Sequence, residues 1–301
     1  MVGPITSWLP ALAASVGLAL LAEAQGPLET RHLRVNAVDL SYIEQGTGAP
    51  VVFVHGAVAD LRFWEPQREA IARQHRFIAY TYRYHGTAPW PDDGKQYSAA
   101  AHAADLAAFI RGLNAGPVHL VGLSYGGSLA ALVATEHADL LRSLSLVEAG
   151  LFSLLADAPE AKPALDEWNK GLEPALAALK AGDAALGTKL LIDLVSNQGP
   201  GTFEKYPDAF RQMFLDNART LPLAFSVPFP EASCAKLGGV KVPTLVVGGD
   251  QTLRIFSSIN DAIVRCIPGS RLAIVPKATH VVSHQNPAAF NDVLLKFLAK
   301  R

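Results

Sequence analysis

Residues 118–128 read Val-His-Leu-Val-Gly-Leu-Ser-Tyr-Gly-Gly-Ser, an apolar run that ends in Gly-x-Ser-x-Gly. The small-residue stretch Leu129 to Ala134 follows. The pattern predicts a strand, a very tight turn and a helix. Gly122 and Gly126 bracket Ser124, and glycine lets a backbone bend sharply without Cβ clashes. Such a turn presents the Ser124 hydroxyl at the strand's C-terminal end, beside the free N–H groups of a helix N-terminus. Ser124 is therefore a candidate nucleophile. An unassisted hydroxyl is a poor one, so a base must lie within hydrogen-bond reach. His280 is the candidate base. It stands in a loop after the last predicted strand, and parallel sheets place their ligands at that edge. His284, in the same loop, reads as a surface histidine.

Other elements must carry these two residues to one place. Arg31 to Tyr42 alternates polar and apolar residues around Asn36-Ala37, which predicts an opening antiparallel hairpin. Val51 to Val54 is a short apolar strand of the kind buried on both faces. A helix is expected over Trp64 to Gln74, a strand over Arg76 to Tyr80, a helix over Tyr97 to Leu113 and a strand over Ser143 to Glu148. Alternating strands and helices with short connections argue for a parallel sheet. From about residue 152 to 238 the alternation stops, and helical stretches (166–180, 184–195 and 207–220) predict an inserted helical cap. The pattern resumes with a strand at 242–250, a helix at 257–266, a strand at 271–275 and a closing helix at 287–300.

Composition sets the outer limits. Half of the 301 residues are hydrophobic and 18% are charged, which suits a large core and argues against disorder. The net charge is -1 with no basic stripe, so nucleic acid is not an expected partner. Cys234 and Cys266 form no CxxC and have no clustered histidines, which argues against a metal site. Buried free thiols are the expected reading, with a disulfide left open. Trp8 to Ala24 is nearly all apolar, and Ala22-Glu23-Ala24 fits a small-x-small cleavage site. Residues 1–24 therefore read as a signal peptide, although no Lys or Arg precedes the apolar run. The run is short for a membrane helix, which needs about 20 residues. Export to the periplasm or the medium is expected, with a cytoplasmic chain as the alternative, and nothing after Pro27 reads as a membrane span.

The chain resembles the α/β-hydrolase superfamily over roughly residues 30–300. Four segments carry the resemblance: His55-Gly56-Ala57, the elbow from Gly122 to Gly126, the strand from Pro243 to Asp250, and His280 with Asn286-Pro287 behind it. The resemblance implies a mostly parallel central sheet flanked by helices, with the helical cap inserted after the sixth strand and residues 25–301 forming one domain. It also implies an oxyanion hole made by the backbone N–H groups of Tyr125 and Ala57, with His55 as an orienting residue. Donors aimed at a developing oxyanion are worth about 3 kcal/mol each.

The acid that orients His280 has two candidates. Family members commonly close the strand after the cap with Gly-x-x-Asp. Counted without gaps from Pro243, that aspartate falls on Thr252, and Asp250 stands two places early. The rival is Glu148, at the end of the preceding strand, where some family members keep their acid. A glutamate ending a buried strand is costly to desolvate unless paired. Turn formation is the competing role for Asp250. A salt bridge to the cap or to Arg83 is the competing role for Glu148. Arg83, Tyr84 and His85 face the same edge, and their types suit local turns or contacts to substrate or cap. Trp64, Trp168 and most of the cap aromatics read as core.

These residues together specify a broad hydrolase class, within which the main expectation is a cofactor-free serine hydrolase for a small or medium apolar ester, thioester or lactone, with no metal. Carbon–carbon bond hydrolases and cofactor-free perhydrolases share the same residue pattern and stay open. So does a non-hydrolytic binding protein for a small molecule. Dehalogenases and epoxide hydrolases of this fold carry an aspartate where Ser124 stands. The sequence carries no signal for oligomeric state.

Overall fold

The computed structural model describes residues 1, 3, 29–90, 92–156 and 158–300. The apolar run on which the signal-peptide expectation rests lies outside the described residues. The chain runs β1 (Arg31–Val35), β2 (Val38–Gln45), β3 (Pro50–Val54), α1 (Glu65–Ala72), β4 (Arg76–Tyr80), α2 (Ala99–Gly112), β5 (Val118–Leu123), α3 (Tyr125–Glu136) and β6 (Leu141–Val147). Among the described residues, the α-helices that follow are α4 (Lys162–Lys180), α5 (Ala184–Ser196), α6 (Asp208–Asp216), α7 (Leu221–Ser226) and α8 (Cys234–Leu237). The chain then resumes with β7 (Thr244–Gly249), α9 (Arg254–Cys266), β8 (Arg271–Val275), α10 (Val282–Gln285) and α11 (Pro287–Leu298).

The strands form one sheet in the order β1-β2-β4-β3-β5-β6-β7-β8. The β1–β2 and β2–β4 pairs are antiparallel, and the remaining pairs are parallel. The opening hairpin turns at Asn36 and Ala37, both at positive φ. Two consecutive left-handed residues match the right-handed twist of the flanking strands. Every residue of β3, β5 and β7 is buried, which is why these segments carry apolar runs rather than alternation. Helix starts follow local chemistry. The Ser98 hydroxyl accepts the Ala101 N–H at 3.1 Å at the head of α2, and the Asn286 side chain accepts the Ala289 N–H at 3.2 Å at the head of α11, with Pro287 in its first turn.

Register decides where chemistry emerges. Leu123 pairs with Val147, and Val147 pairs with Val247. Ser124 and Glu148 therefore leave adjacent parallel strands side by side, level with Gly248 near the end of β7. Val54 pairs with Gly122, so His55 and Gly56 leave β3 on the other flank of β5.

The cysteines correct the thiol reading. Cys234 and Cys266 form a disulfide, with Cα atoms 4.8 Å apart. Cys234 opens α8 and Cys266 closes α9, and the two helices pack together. Residues 32 apart in sequence meet because β7 and α9 fold back between them. Among the described residues, no helix is long and apolar enough to cross a membrane.

Candidate active site

Ser124 has φ +54° and ψ −119°, a conformation that side chains rarely adopt. Its surroundings hold it there. The Ser124 N–H donates to the Val147 carbonyl at 2.9 Å, and its own carbonyl accepts the N–H groups of Ser128 at 3.1 Å and Gly150 at 3.0 Å. The flanking glycines are required by space. A Cβ on Gly122 would come 2.4 Å from the Gly126 carbonyl oxygen, and one on Gly126 would come 2.3 Å from that of His55. The turn leaves Ser124 partly exposed to a cavity that His280 also lines. Among the described residues, Ser124 Oγ and His280 Nε2 make no hydrogen bond to each other; in ligand-free sites such contacts are often long.

On its other side, His280 Nδ1–H donates to Glu148 Oε2 at 3.3 Å. Glu148 is completely buried and sits at φ +46°. Thr252 Oγ1 also donates to Oε2. The Gly249 N–H donates to Oε1 at 3.1 Å, and Asn260 Nδ2 at 3.3 Å. A Cβ on Gly248 would stand 3.0 Å from Glu148 Oε1 and 2.6 Å from Asn260 Nδ2, so the glycine makes room for the carboxylate. The Phe256 ring covers the imidazole, with centroids 3.9 Å apart. Asp250 is exposed, and its Oδ1 accepts the Ala278 N–H at 3.1 Å, which ties the end of β7 to the loop that carries His280.

Ala57 and Tyr125, the expected oxyanion donors, both line the cavity. The Gly56 carbonyl accepts His55 Nδ1–H at 2.8 Å and the Tyr82 hydroxyl at 2.9 Å. In a trans peptide the C=O and the following N–H point in opposite directions. Anchoring the Gly56 carbonyl therefore aims the Ala57 N–H the other way. Burial lowers the His55 pKa to about 4, so the ring is neutral and keeps one N–H for this bond. His55 stacks on Tyr82 with centroids 4.0 Å apart. Tyr125 is held from behind by a 2.9 Å hydrogen bond between its hydroxyl and His102 Nδ1.

Several expected placements change. Arg83 pairs with buried Asp105 at 2.5 and 2.8 Å, and Glu148 takes its partners from β7, α9 and the loops beside them. Tyr84 donates to Asp92 at 2.9 Å, and His85 Nδ1–H donates to the Arg83 carbonyl at 3.1 Å. Arg83 ties the loop to α2, Tyr84 and His85 serve the loop itself, and none of the three lines the cavity. His284 is not a surface histidine. Its ring lies against Phe63 and Phe210, and its Nε2–H donates to the Phe63 carbonyl at 2.6 Å. Trp64 is core, but Trp168 lines the cavity and stacks on Phe152. Of the insertion's aromatics, Phe152, Phe214, Phe225 and Phe229 reach the cavity along with Trp168. Sequence reasoning missed Thr252, Asn260 and Phe256 as neighbours of the Glu148–His280 pair.

Apart from Ser124, Tyr125, Trp168 and His280, the cavity wall is apolar side chains and glycine. No Lys, Arg, Asp or Glu lines it among the described residues. A water-poor wall of this kind strengthens electrostatic contacts at the hydroxyl and the imidazole.

Comparison with known proteins agrees with the fold. A model of the alpha/beta hydrolase family matches residues 51–293. A candidate carbamate hydrolase of Azorhizobium caulinodans is 26% identical over 277 residues, which span 86% of this chain and 94% of that protein. A pyrrolizixenacetamide deacetylase of Xenorhabdus hominickii is 26% identical over 269 residues, spanning 88% and 97%. Among solved structures, a thermophilic esterase from Thermogutta terrifontis superposes with TM-score 0.69 at 25% identity, covering 90% of this chain and 98% of that one.

Proposed function

Because the chain belongs to the alpha/beta hydrolase family, we propose that it is a serine hydrolase that cleaves a neutral, apolar ester, thioester or lactone through an acyl-enzyme. The reading rests on one observation. The strained Ser124 opens onto the same cavity as His280, whose far nitrogen is 3.3 Å from the buried Glu148 carboxylate.

In this mechanism His280 Nε2 takes the proton from Ser124 Oγ as the hydroxyl attacks the acyl carbon. The imidazolium that forms is held by Glu148, which keeps the ring in the tautomer that can accept. The N–H groups of Ala57 and Tyr125 stabilise the oxyanion. His280 then gives its proton to the leaving alcohol, thiol or ring oxygen. Water, activated by the same imidazole, releases the acid and restores Ser124. Glu148 takes the orienting role, and Asp250 serves the loop.

The substrate class follows from the wall. Phe152, Trp168, Phe225, Phe229 and Phe256 favour a bulky hydrocarbon or aromatic group, and among the described residues no cation lines the cavity as a partner for a substrate carboxylate. The names of the two curated relatives point to carbamate and acetamide chemistry, which attacks the same kind of acyl carbon, so amides belong in the substrate panel.

Labelling with a fluorophosphonate tests the reading. The expected result is one adduct per chain, mapped to Ser124 and absent from Ser124→Ala. An unlabelled wild-type protein with an intact fold would instead mark a binding protein that does not turn over.

A further inference from the structure

We infer that Thr252 is a positioning residue, whose hydroxyl, together with Asn260 and the Gly249 N–H, holds the Glu148 carboxylate in the plane that His280 needs. The inference rests on the triad reading above and assigns a role to a residue outside it.

Glutamate carries one more rotatable bond than aspartate, and ordering it costs more conformational entropy. Glu148 must also reach across from β6 to an imidazole that follows β8, with β7 between them. The far side of its carboxylate is built accordingly. Oε2 accepts from both His280 Nδ1 and Thr252 Oγ1. Oε1 accepts from both the Gly249 N–H and Asn260 Nδ2. Each oxygen is thus held from two directions, and rotation of the carboxylate breaks donors on both. The space for Oε1 exists because Gly248 has no Cβ.

Among the described residues, Thr252 is the one side chain besides His280 that donates to Oε2, the oxygen facing the base. Its hydroxyl has a single proton, and that proton goes to the carboxylate. Thr252 lies between the end of β7 and the start of α9, so its place is set by the same elements that supply Gly249 and Asn260. Removing the hydroxyl frees Oε2 to turn from the imidazole.

The test compares Thr252→Val, which keeps the shape and removes the hydroxyl, with Thr252→Ser, which keeps the hydroxyl and removes the methyl group. Glu148→Gln runs beside them on one neutral p-nitrophenyl ester. Thr252→Val is expected to lower kcat about 10- to 100-fold, the range for a lost hydrogen bond to a charged group. KM should stay near its original value. Thr252→Ser should restore kcat, with equal thermal melts for all three proteins. A Thr252→Val protein with wild-type kcat overturns the inference while an inactive Glu148→Gln leaves the triad standing. Equal losses in Thr252→Val and Thr252→Ser also overturn it, since they trace the effect to packing. If Glu148→Gln turns over like the wild type, the triad reading itself has failed. Should Thr252→Val not fold, Thr252→Ala against Thr252→Ser gives the same comparison.

Discussion

Glu148 Oε2 lies 3.3 Å from His280 Nδ1, across 132 residues of sequence. The contact is made by an acid from the end of β6, one strand away from Ser124 in the sheet. Glu148 and Ser124 leave their strands in register, because Leu123 pairs with Val147. The acid and the nucleophile are therefore placed by the same pair of strands, and His280 comes to them from beyond β8.

That arrangement separates the two carboxylates. Glu148→Gln should lower kcat by about three to four orders of magnitude, as expected when a triad histidine loses the acid that sets its tautomer. Asp250→Asn should change kcat little, because its oxygen serves the Ala278 N–H. Steady-state kinetics on one ester decide the matter, and the reverse ranking would move the acid to Asp250.

The cavity wall predicts charge discrimination. An anionic group brought into it loses water and gains no cation, at a cost of several kcal/mol. A neutral p-nitrophenyl butyrate should exceed the hemisuccinate, which carries a free carboxylate, by about 100-fold or more in kcat/KM. Comparable values for the two esters would contradict the proposed substrate class.

Buried histidines predict acid lability. Burial lowers the pKa of His55 to about 4, His119 to about 4, His284 to about 4 and His102 to about 3. Above the unfolded value near 6.5 both states are neutral, and these groups have no effect. Below it the unfolded chain binds protons that the folded chain refuses, so stability falls as pH drops from about 6.5 to about 4. His55 alone accounts for about 3 kcal/mol over that window. Thermal melts should fall through this range, and His284→Phe should flatten the slope. Melting temperatures unchanged between pH 6.5 and 4.5 would contradict the linkage.

The disulfide joins α8, at the end of the insertion, to α9, which carries Phe256 and Asn260. Closing a loop of this length is worth about 3–4 kcal/mol. Reducing agent should lower the melting temperature of the wild type and leave a Cys234→Ser/Cys266→Ser protein unaffected. The bond also suits an oxidising compartment, and we propose that the chain is exported. Protein recovered from a bacterial periplasm should then begin at Gln25, and a mature chain that retains Met1 would oppose export.

The sheet was legible because buried parallel strands leave apolar runs and Ser124 is announced by its glycines. The neighbours of Glu148 were less so. Counting from Pro243 landed on Thr252, which carries no carboxylate, and the register offered no reason to see its hydroxyl as a donor to an acid on another strand. Asn260 and Phe256 lie on α9 among ordinary helix residues, and only packing turns them towards His280. The cysteine pair was hidden for a similar reason: its spacing matches no motif, and the fold alone brings the two residues together. His284 looked like a loop residue because α10 is only a short turn of helix, while its two phenylalanine neighbours come from distant segments.

The central claim is that Ser124 carries the acyl group. Turnover of p-nitrophenyl butyrate by Ser124→Ala measures it most directly. The expected result is a folded protein with the wild-type thermal melt and a rate at least about three orders of magnitude lower. A Ser124→Ala protein that turns over at the wild-type rate would contradict it.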